Sequence, residues 1–355
     1  MKRIFLAVTV LVLAASFAFA TGGQEKSDDG SMTVSLNGAG ATFPQPLYTV
    51  MFDEYAKTGN KVNYQGVGSG AGIKQLIEKT VDFGASDAPM KQKDIDAAGA
   101  EVLHIPTCIG AIVLTYNLPT VKAQLKFDSE SIAAIFLGKI TKWNDAAIKA
   151  LNPGVDLPDL AIGVVHRSDS SGTSYNFTTY LTKVSKEWAD KVGASKSPDW
   201  PAGIGGQGNP GVASAVKQVP GAIGYVEIAY ARQNNMPVAQ VKNAAGNFID
   251  PSNLENVALA ADVAFPADAK VDVVNSDAKM GYPIAATTWL LLYKDQTYTG
   301  KPEISKGVVE LMWWMLHDGQ SLNETVGYAP LPPAAVAVAE KLLKSVTYDG
   351  QPLLK

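Results

Sequence analysis

Nine residues constrain this chain more than any others: His166-Arg167-Ser168-Asp169-Ser170-Ser171-Gly172-Thr173-Ser174. They stand between an apolar run, Leu160 to Val165, and a helix-like run, Tyr175 to Val184. The stretch therefore reads as the turn from a strand into a helix. It holds one firm cation, one carboxylate, five small hydroxyl residues and a glycine. A helix start presents unpaired backbone N–H groups and the positive end of the helix dipole. Such an end binds anions. Arg167 adds a planar fork of donors suited to phosphate or carboxylate. Ser171 and Thr173 can add hydroxyl donors, and Gly172 lets an anion approach the backbone. An ordinary N-cap, with Asp169 or Ser171 satisfying the helix start, accounts for the same residues.

Two further turns have this form. Met32 to Asn37 alternates as a strand does, and it ends in Gly38-Ala39-Gly40-Ala41-Thr42-Phe43-Pro44. Tyr48, Met51, Phe52 and Tyr55 follow at helical spacing. Proline suits the first turn of a helix, so Thr42 and Phe43 sit at a second strand-to-helix turn. Lys61 to Tyr64 reads as another strand. Gly66-Val67-Gly68-Ser69-Gly70-Ala71-Gly72 is its turn, and Ile73, Leu76 and Ile77 begin the next helix. Four glycines in seven residues suit close backbone approach to a ligand, although a flexible loop reads as well. The stretch is no P-loop and no G-x-S-x-G elbow. Val81 to Pro89 reads as a short strand ending in Asp87. An ionised carboxylate only accepts hydrogen bonds. It repels a fully deprotonated anion and welcomes one that keeps a proton. A plain N-cap for a helix from Lys91 to Ala98 is the competing role for Asp87. Repeated strand-to-helix joints place the chain in the α/β class.

The 355 residues are 46% apolar and 18% charged, enough for an ample core and two domains. Lys2 and Arg3, the apolar run Ile4 to Ala15 and then Ala18-Phe19-Ala20 form an export signal cut after Ala20. The apolar run is short for a bilayer span of roughly 20 residues. No Cys lies near the cut to carry a lipid. Residues 1–20 are thus read as a signal peptide and 21–31 as a flexible polar leader. A free exported chain is best retained in a periplasm. Without the signal, 28 basic residues face 34 acidic ones, a balance of −6. That excludes a nucleic-acid binder by bulk charge. Any anionic ligand must be captured locally, against the field of the whole chain. The single Cys108 permits no internal disulfide and lies in an apolar run, as a buried small residue does.

Six segments, in order, carry a resemblance: Gly38 to Pro44, Asn63 to Gly66, Val81 to Pro89, Gly138 to Asp145, Arg167 to Ser174, and Pro220 to Glu227. Together they resemble the periplasmic phosphate-binding proteins of phosphate ABC transporters, from about Leu36 to past Tyr282. The resemblance implies an α/β, two-lobed periplasmic binding protein fold of type II-like form, with a ligand cleft between the lobes. It implies a high-affinity receptor for inorganic phosphate that serves the transmembrane permease subunits of an ABC importer. The expected form is a monomer without cofactor or metal.

The resemblance also implies roles. Thr42 and Phe43 match a turn that offers phosphate a hydroxyl and a backbone N–H. Ser69 matches a serine at the second helix start. Asp87 matches a carboxylate that accepts the proton of bound phosphate. Arg167 matches the only cationic ligand, and Asp169 the carboxylate that holds it. Ser171, Gly172 and Thr173 match donors at the third helix start. His166 departs from a basic residue often found there, and is read as structural. Phosphate keeps a proton near neutral pH and sulfate keeps none. A site built around a substrate hydroxyl can reject an analogue lacking it by about 10⁴–10⁵-fold.

Asn117-Leu118-Pro119 and Tyr282-Pro283-Ile284 read as crossovers between lobes. Lobe I is then 32–116 with 284–355, and lobe II is 117–283. Gly203 to Gly208 spells G-x-G-x-x-G, but no apolar strand precedes it and Asn209-Pro210 follows, so it is read as a loop. Residues 240–280 show no pattern. Ile304, Val308, Leu311, Met312, Met315 and Leu316 repeat as the core stripe of a helix. Two other functions compete: a receptor for another oxyanion, and a phosphate-ester hydrolase. The three histidines, His104, His166 and His317, form no metal-binding spacing, and no nucleophile–base pair is visible, so the expectation is a protein that is not an enzyme.

Overall fold

Each apolar run that feeds a Gly/Ser/Thr turn forms a strand, and a helix follows each turn. The computed structural model describes residues 33–354. The export signal and leader lie outside the described residues. The strands of the described residues in chain order are β1 (Ser35–Gly40), β2 (Lys61–Gly66), β3 (Phe83–Ser86), β4 (Val102–Tyr116), β5 (Lys126–Phe127), β6 (Gly163–Arg167), β7 (Ile204–Gly206), β8 (Ala222–Glu227), β9 (Gln240–Lys242), β10 (Phe248–Ile249), β11 (Ala285–Tyr293), β12 (Thr347–Tyr348) and β13 (Gln351–Pro352).

Eight of them form one sheet in the order β2-β1-β3-β11-β4-β8-β6-β7. β2, β1 and β3 run parallel, and so do β8, β6 and β7. Each trio is the core of an α/β half. Two antiparallel strands, β11 and β4, join the trios. β4 is 15 residues long and buried throughout. Its stretch from Val102 to Ala111 pairs with β11, and its last five residues, Ile112 to Tyr116, pair with β8. One strand thus belongs to both halves. Buried on both faces, it reads as a continuous apolar run rather than an alternating one. A bulge interrupts the β4–β11 pairing at Thr288, where Thr107 has no partner beside Pro106. Proline donates no ladder hydrogen bond, so a bulge is where a sheet tolerates it.

Helices cover the sheet. Gln45–Tyr55 follows β1, Ser69–Ile77 follows β2 and Gly172–Val184 follows β6. The helix Pro302–Leu316 buries Val308, Leu311, Met312, Met315 and Leu316, the stripe read from the sequence. It packs with Pro333–Lys344, so both chain ends build the half that holds β1 to β3. Trp143 is fully buried and its Nε1–H donates to Gly221 O at 2.9 Å. Cys108 is buried and free. Among the described residues, no helix is long and apolar enough to cross a membrane.

Two stretches depart from the sequence reading. Gly203 to Gly208 is not a loop. Ile204–Gly206 is the edge strand β7, and the helix Gly208–Gln218 starts at once. A three-residue strand with two glycines leaves no apolar run to read. Pro210 sits in the first turn of this helix, where its missing N–H costs nothing. The patternless 240–280 region holds β9 and β10, paired with β5 in a three-stranded sheet, and the helix Leu254–Ala260.

Candidate functional site

The strand-to-helix turns converge at the carboxyl ends of the two parallel trios, where ligands of open α/β sheets bind. Thr42 follows β1, Ser69 follows β2, Asp87 follows β3, and Ser171 to Thr173 follow β6. All are buried. The turn after β7 joins them. Asn209 donates to Thr42 Oγ1 from its backbone N–H at 3.1 Å and from Nδ2 at 2.9 Å. Its Nδ2 also reaches Thr173 Oγ1 at 3.1 Å. Four helices, Gln45–Tyr55, Ser69–Ile77, Gly172–Val184 and Gly208–Gln218, therefore start at these turns, and helix starts favour anions.

Ser69 ties the halves together. Its Oγ accepts from the Gly172 N–H at 3.1 Å and from the Asp87 N–H at 3.3 Å. Gly172 must be glycine here: a Cβ would lie 2.6 Å from both Asp87 Oδ2 and Ser69 Oγ. The glycine turn after β2 has the same logic. Gly68 has φ +94°, and a Cβ there would lie 2.4 Å from Asp169 Oδ2. The Gly70 N–H donates to Ser170 O at 2.9 Å. These glycines admit the facing turn of the other half.

Asp87 is not a helix cap. The helix Gln92–Ala98 starts after Lys91 and takes no hydrogen bond from Asp87. Asp87 Oδ1 accepts from the Thr288 hydroxyl at 2.7 Å, and Oδ2 from Ser69 Oγ at a long 3.4 Å. Its backbone O accepts from Asn176 Nδ2 at 2.6 Å. Burial pushes the Asp87 carboxyl up to about 7, against the pull of Thr288, Arg167 and Ser69. A charged carboxylate taken out of water is disfavoured, and only those three partners offset it.

Arg167 is the buried cation, 3% exposed. Its Nε and Nη2 make a fork to Asp169 Oδ1 and Oδ2 at 2.7 and 2.6 Å, and Nη1 donates to Thr173 Oγ1 at 3.2 Å. Burial raises the Asp169 carboxyl, but the fork, the Arg167 charge and the Gly208 N–H at 3.0 Å outweigh it and hold it below the usual range. The pair is locally neutral. What remains for a ligand is a set of hydroxyls, helix starts and one proton-sensitive carboxylate. Ser171 caps its own helix by accepting from the Ser174 N–H at 3.0 Å. The capping role read for Ser171 is therefore present in this turn. His166 stands apart, stacked on Trp200 at 4.8 Å and 12°.

Several residues in this network were not singled out from the sequence. The Tyr225 hydroxyl accepts from the Arg167 N–H at 3.1 Å and pairs with Ser174 Oγ at 2.6 Å. The Tyr230 hydroxyl donates to Thr42 O. The Tyr328 hydroxyl lies 2.7 Å from Phe43 O and 2.9 Å from Glu227 Oε2. Glu227 caps the next helix through the Ala229 N–H, and burial pushes its carboxyl up to about 8. Tyr225 and Glu227 lie in the segment Pro220 to Glu227, so that segment held the signal. Thr288 and Tyr328 were not singled out, because their partners are about 100 or more residues away in sequence.

The chain is similar to known proteins along most of its length. Residues 24–318 match the PBP superfamily domain. A "Phosphate-binding protein PstS" of Pasteurella multocida is 44% identical over 334 residues, covering 93% of each chain. A protein of the same name from Methanocaldococcus jannaschii is 36% identical over 358 residues, covering 93% of this chain and 91% of its own. Among solved structures, a high affinity periplasmic phosphate-binding protein bound with phosphate superposes with a TM-score of 0.70 at 22% identity, covering 86% of this chain and 93% of that one. A phosphate-binding protein from Stenotrophomonas maltophilia does so with a TM-score of 0.66 at 20% identity, with the same coverage. At these identities the superpositions speak for the fold.

Proposed function

The chain belongs to the PstS phosphate-binding protein family of the PBP superfamily, and from that premise we propose that it is an inorganic phosphate receptor delivering its ligand to the permease subunits of an ABC importer. The family is one of substrate-binding receptors, not enzymes. The observation that carries the reading is Asp87, a buried carboxylate against the helix starts at Ser69 and Gly172, with a neutralised Arg167–Asp169 pair in the same network. Phosphate contacts Thr42, Phe43, Ser69, Arg167, Ser171, Gly172 and Thr173, with Asp169 fixing the Arg167 fork. Neutral donors and dipoles hold the anion without a matching count of cations. Asp87 shares one proton with the ligand. At neutral pH it makes little difference whether that proton starts on Asp87 or on phosphate, because the pair titrates as a unit. Sulfate brings no proton, so an ionised Asp87 faces it unpaired and repels it.

Two lobes are proposed, with the crossovers read at 117–119 and 282–284, and the shared strand β4, whose residues Ile112 to Tyr116 already pair with β8, supports a hinge where it passes from β11 to β8. The signal pattern of residues 1–20 supports release into a periplasm after cleavage at Ala20. The test is competition between phosphate and sulfate for Asp87→Asn. An amide can donate to sulfate, so the preference for phosphate is expected to fall by two orders of magnitude or more, within the 10⁴–10⁵ that about one buried substrate-hydroxyl contact can give. An unchanged preference removes the proton-reading role of Asp87.

A further inference from the structure

A second set of cations lies outside the buried site. A pocket of about 400 Å³ opens where the helices Ser69–Ile77 and Gln92–Ala98 meet the segment Ser195 to Ser197. Gly70 and Ser170 line it, and they are the chain neighbours of Ser69 and Ser171. The Ser171 N–H donates to Lys196 O at 2.9 Å, which ties the pocket's rim to the cap of the site helix. One residue on each side thus separates this pocket from the buried donors.

Its charges do not balance. Lys74 lies 3.7 Å from Glu78 on the same helix, and Lys196 lies 3.9 Å from Asp94 across the seam. Those pairs consume both acids that line the pocket. Lys91 and Lys93 also line it; both are exposed, and neither has an ion-pair partner among the described residues. The Lys196 side chain is only 12% exposed. Burial holds its ammonium below the usual value, and the repulsion of Lys91 and Lys93 works against the pull of Asp94. An anion in the pocket relieves that repulsion. The chain as a whole carries −4, so its bulk field opposes an approaching anion. Arg167 cannot correct this, being buried and forked onto Asp169.

We propose that this pocket is an outer capture site for a phosphate-class oxyanion, which holds the anion at the seam and speeds its transfer to the buried turns. The proposal rests on the phosphate-receptor reading and adds to it a second, weaker anion site. A cleft with a net positive lining raises the local concentration of an anion and its association rate, most strongly at low ionic strength. The reach is short, since the screening length is about 10 Å at 0.1 M salt.

The test uses the full mature protein and inorganic phosphate, with association followed by stopped-flow tryptophan fluorescence. Lys91→Gln with Lys93→Gln is expected to slow association about three- to tenfold at low ionic strength and to leave dissociation unchanged. The difference closes near 1 M salt, where the screening length is about 3 Å. A control pair, Lys306→Gln with Lys344→Gln, removes the same charge from other helices and is expected to keep the wild-type rate. Unchanged association in the Lys91/Lys93 variant overturns the proposal. So does an equal loss in the control pair, or a change confined to dissociation. A wild-type protein that binds no phosphate overturns the receptor reading, and the capture site with it.

Discussion

Asp87 and Arg167 are both buried, but only Arg167 is directly forked onto an oppositely charged partner. Arg167 has a carboxylate partner in a two-bond fork. Removing one member of a buried pair leaves the other uncompensated, at about 3–5 kcal/mol. Arg167→Ala is therefore expected to lose that much stability by denaturant unfolding, in addition to phosphate affinity. A loss under 1 kcal/mol would mean that Asp169 finds another partner. Asp87 and Glu227 have folded-state values of about 7 and about 8, above their ordinary 3.8 and 4.5. The folded protein then binds protons more tightly than the unfolded chain between about pH 4 and pH 8. Their contribution to stability is greatest at the acid end of that window and is lost as pH rises through it. The thermal midpoint of the ligand-free protein is expected to fall from pH 5 to pH 8, and to fall less in Asp87→Asn with Glu227→Gln. A rise of equal size in both proteins would contradict this. At this scale the sequence was legible wherever chemistry was local. Arg167, Asp169 and Ser171 share one turn. Thr288, which positions Asp87, was not legible, because nothing near it in the chain indicates its partner.

At the scale of elements, the recurring unit is a strand, a small-residue turn and a helix whose first N–H groups face the site. The turns also face each other. Gly172→Ala would place a methyl group against Asp87 and Ser69, and overpacking of this kind costs typically about 1–3 kcal/mol. It is expected to weaken phosphate binding at least tenfold, measured calorimetrically. Gly68→Ala meets both a φ of +94° and the Asp169 carboxylate, so it is expected to lower the thermal midpoint without altering helix content. If both variants behave as wild type, the turns are looser than their geometry indicates. The first three turns were readable because a strand-like run preceded each, alternating before two of them and apolar before the third. The fourth was hidden, since β7 is three residues long and glycine-rich. Its helix contributes Asn209, the residue that links Thr42 to Thr173. The spelling of the motif suggested a nucleotide loop, and the absent apolar strand argued against that reading and left a loop. The local rule failed because an edge strand parallel to β6 needs only one partner and little apolar surface.

At the scale of the whole molecule, two parallel trios share the strand β4, and the buried turns lie where their carboxyl ends meet. This arrangement could be anticipated from the order of the motifs along the chain. The contacts that seal it could not. Tyr328 reaches Phe43 and Glu227 from the far end of the chain, and such closure is a property of the packed structure alone. The central claim is that Asp87 selects the ligand by its proton. It is tested most directly by calorimetric titration of the mature protein, stripped of ligand by unfolding and refolding, with phosphate and with sulfate at pH 8.5 and pH 5.5. With Asp87 at about 7, tight one-to-one phosphate binding and no sulfate binding are expected at the higher pH. At the lower pH, protonated Asp87 can donate to sulfate, and a weak sulfate signal is expected. Sulfate binding as tight as phosphate at pH 8.5 would contradict the claim.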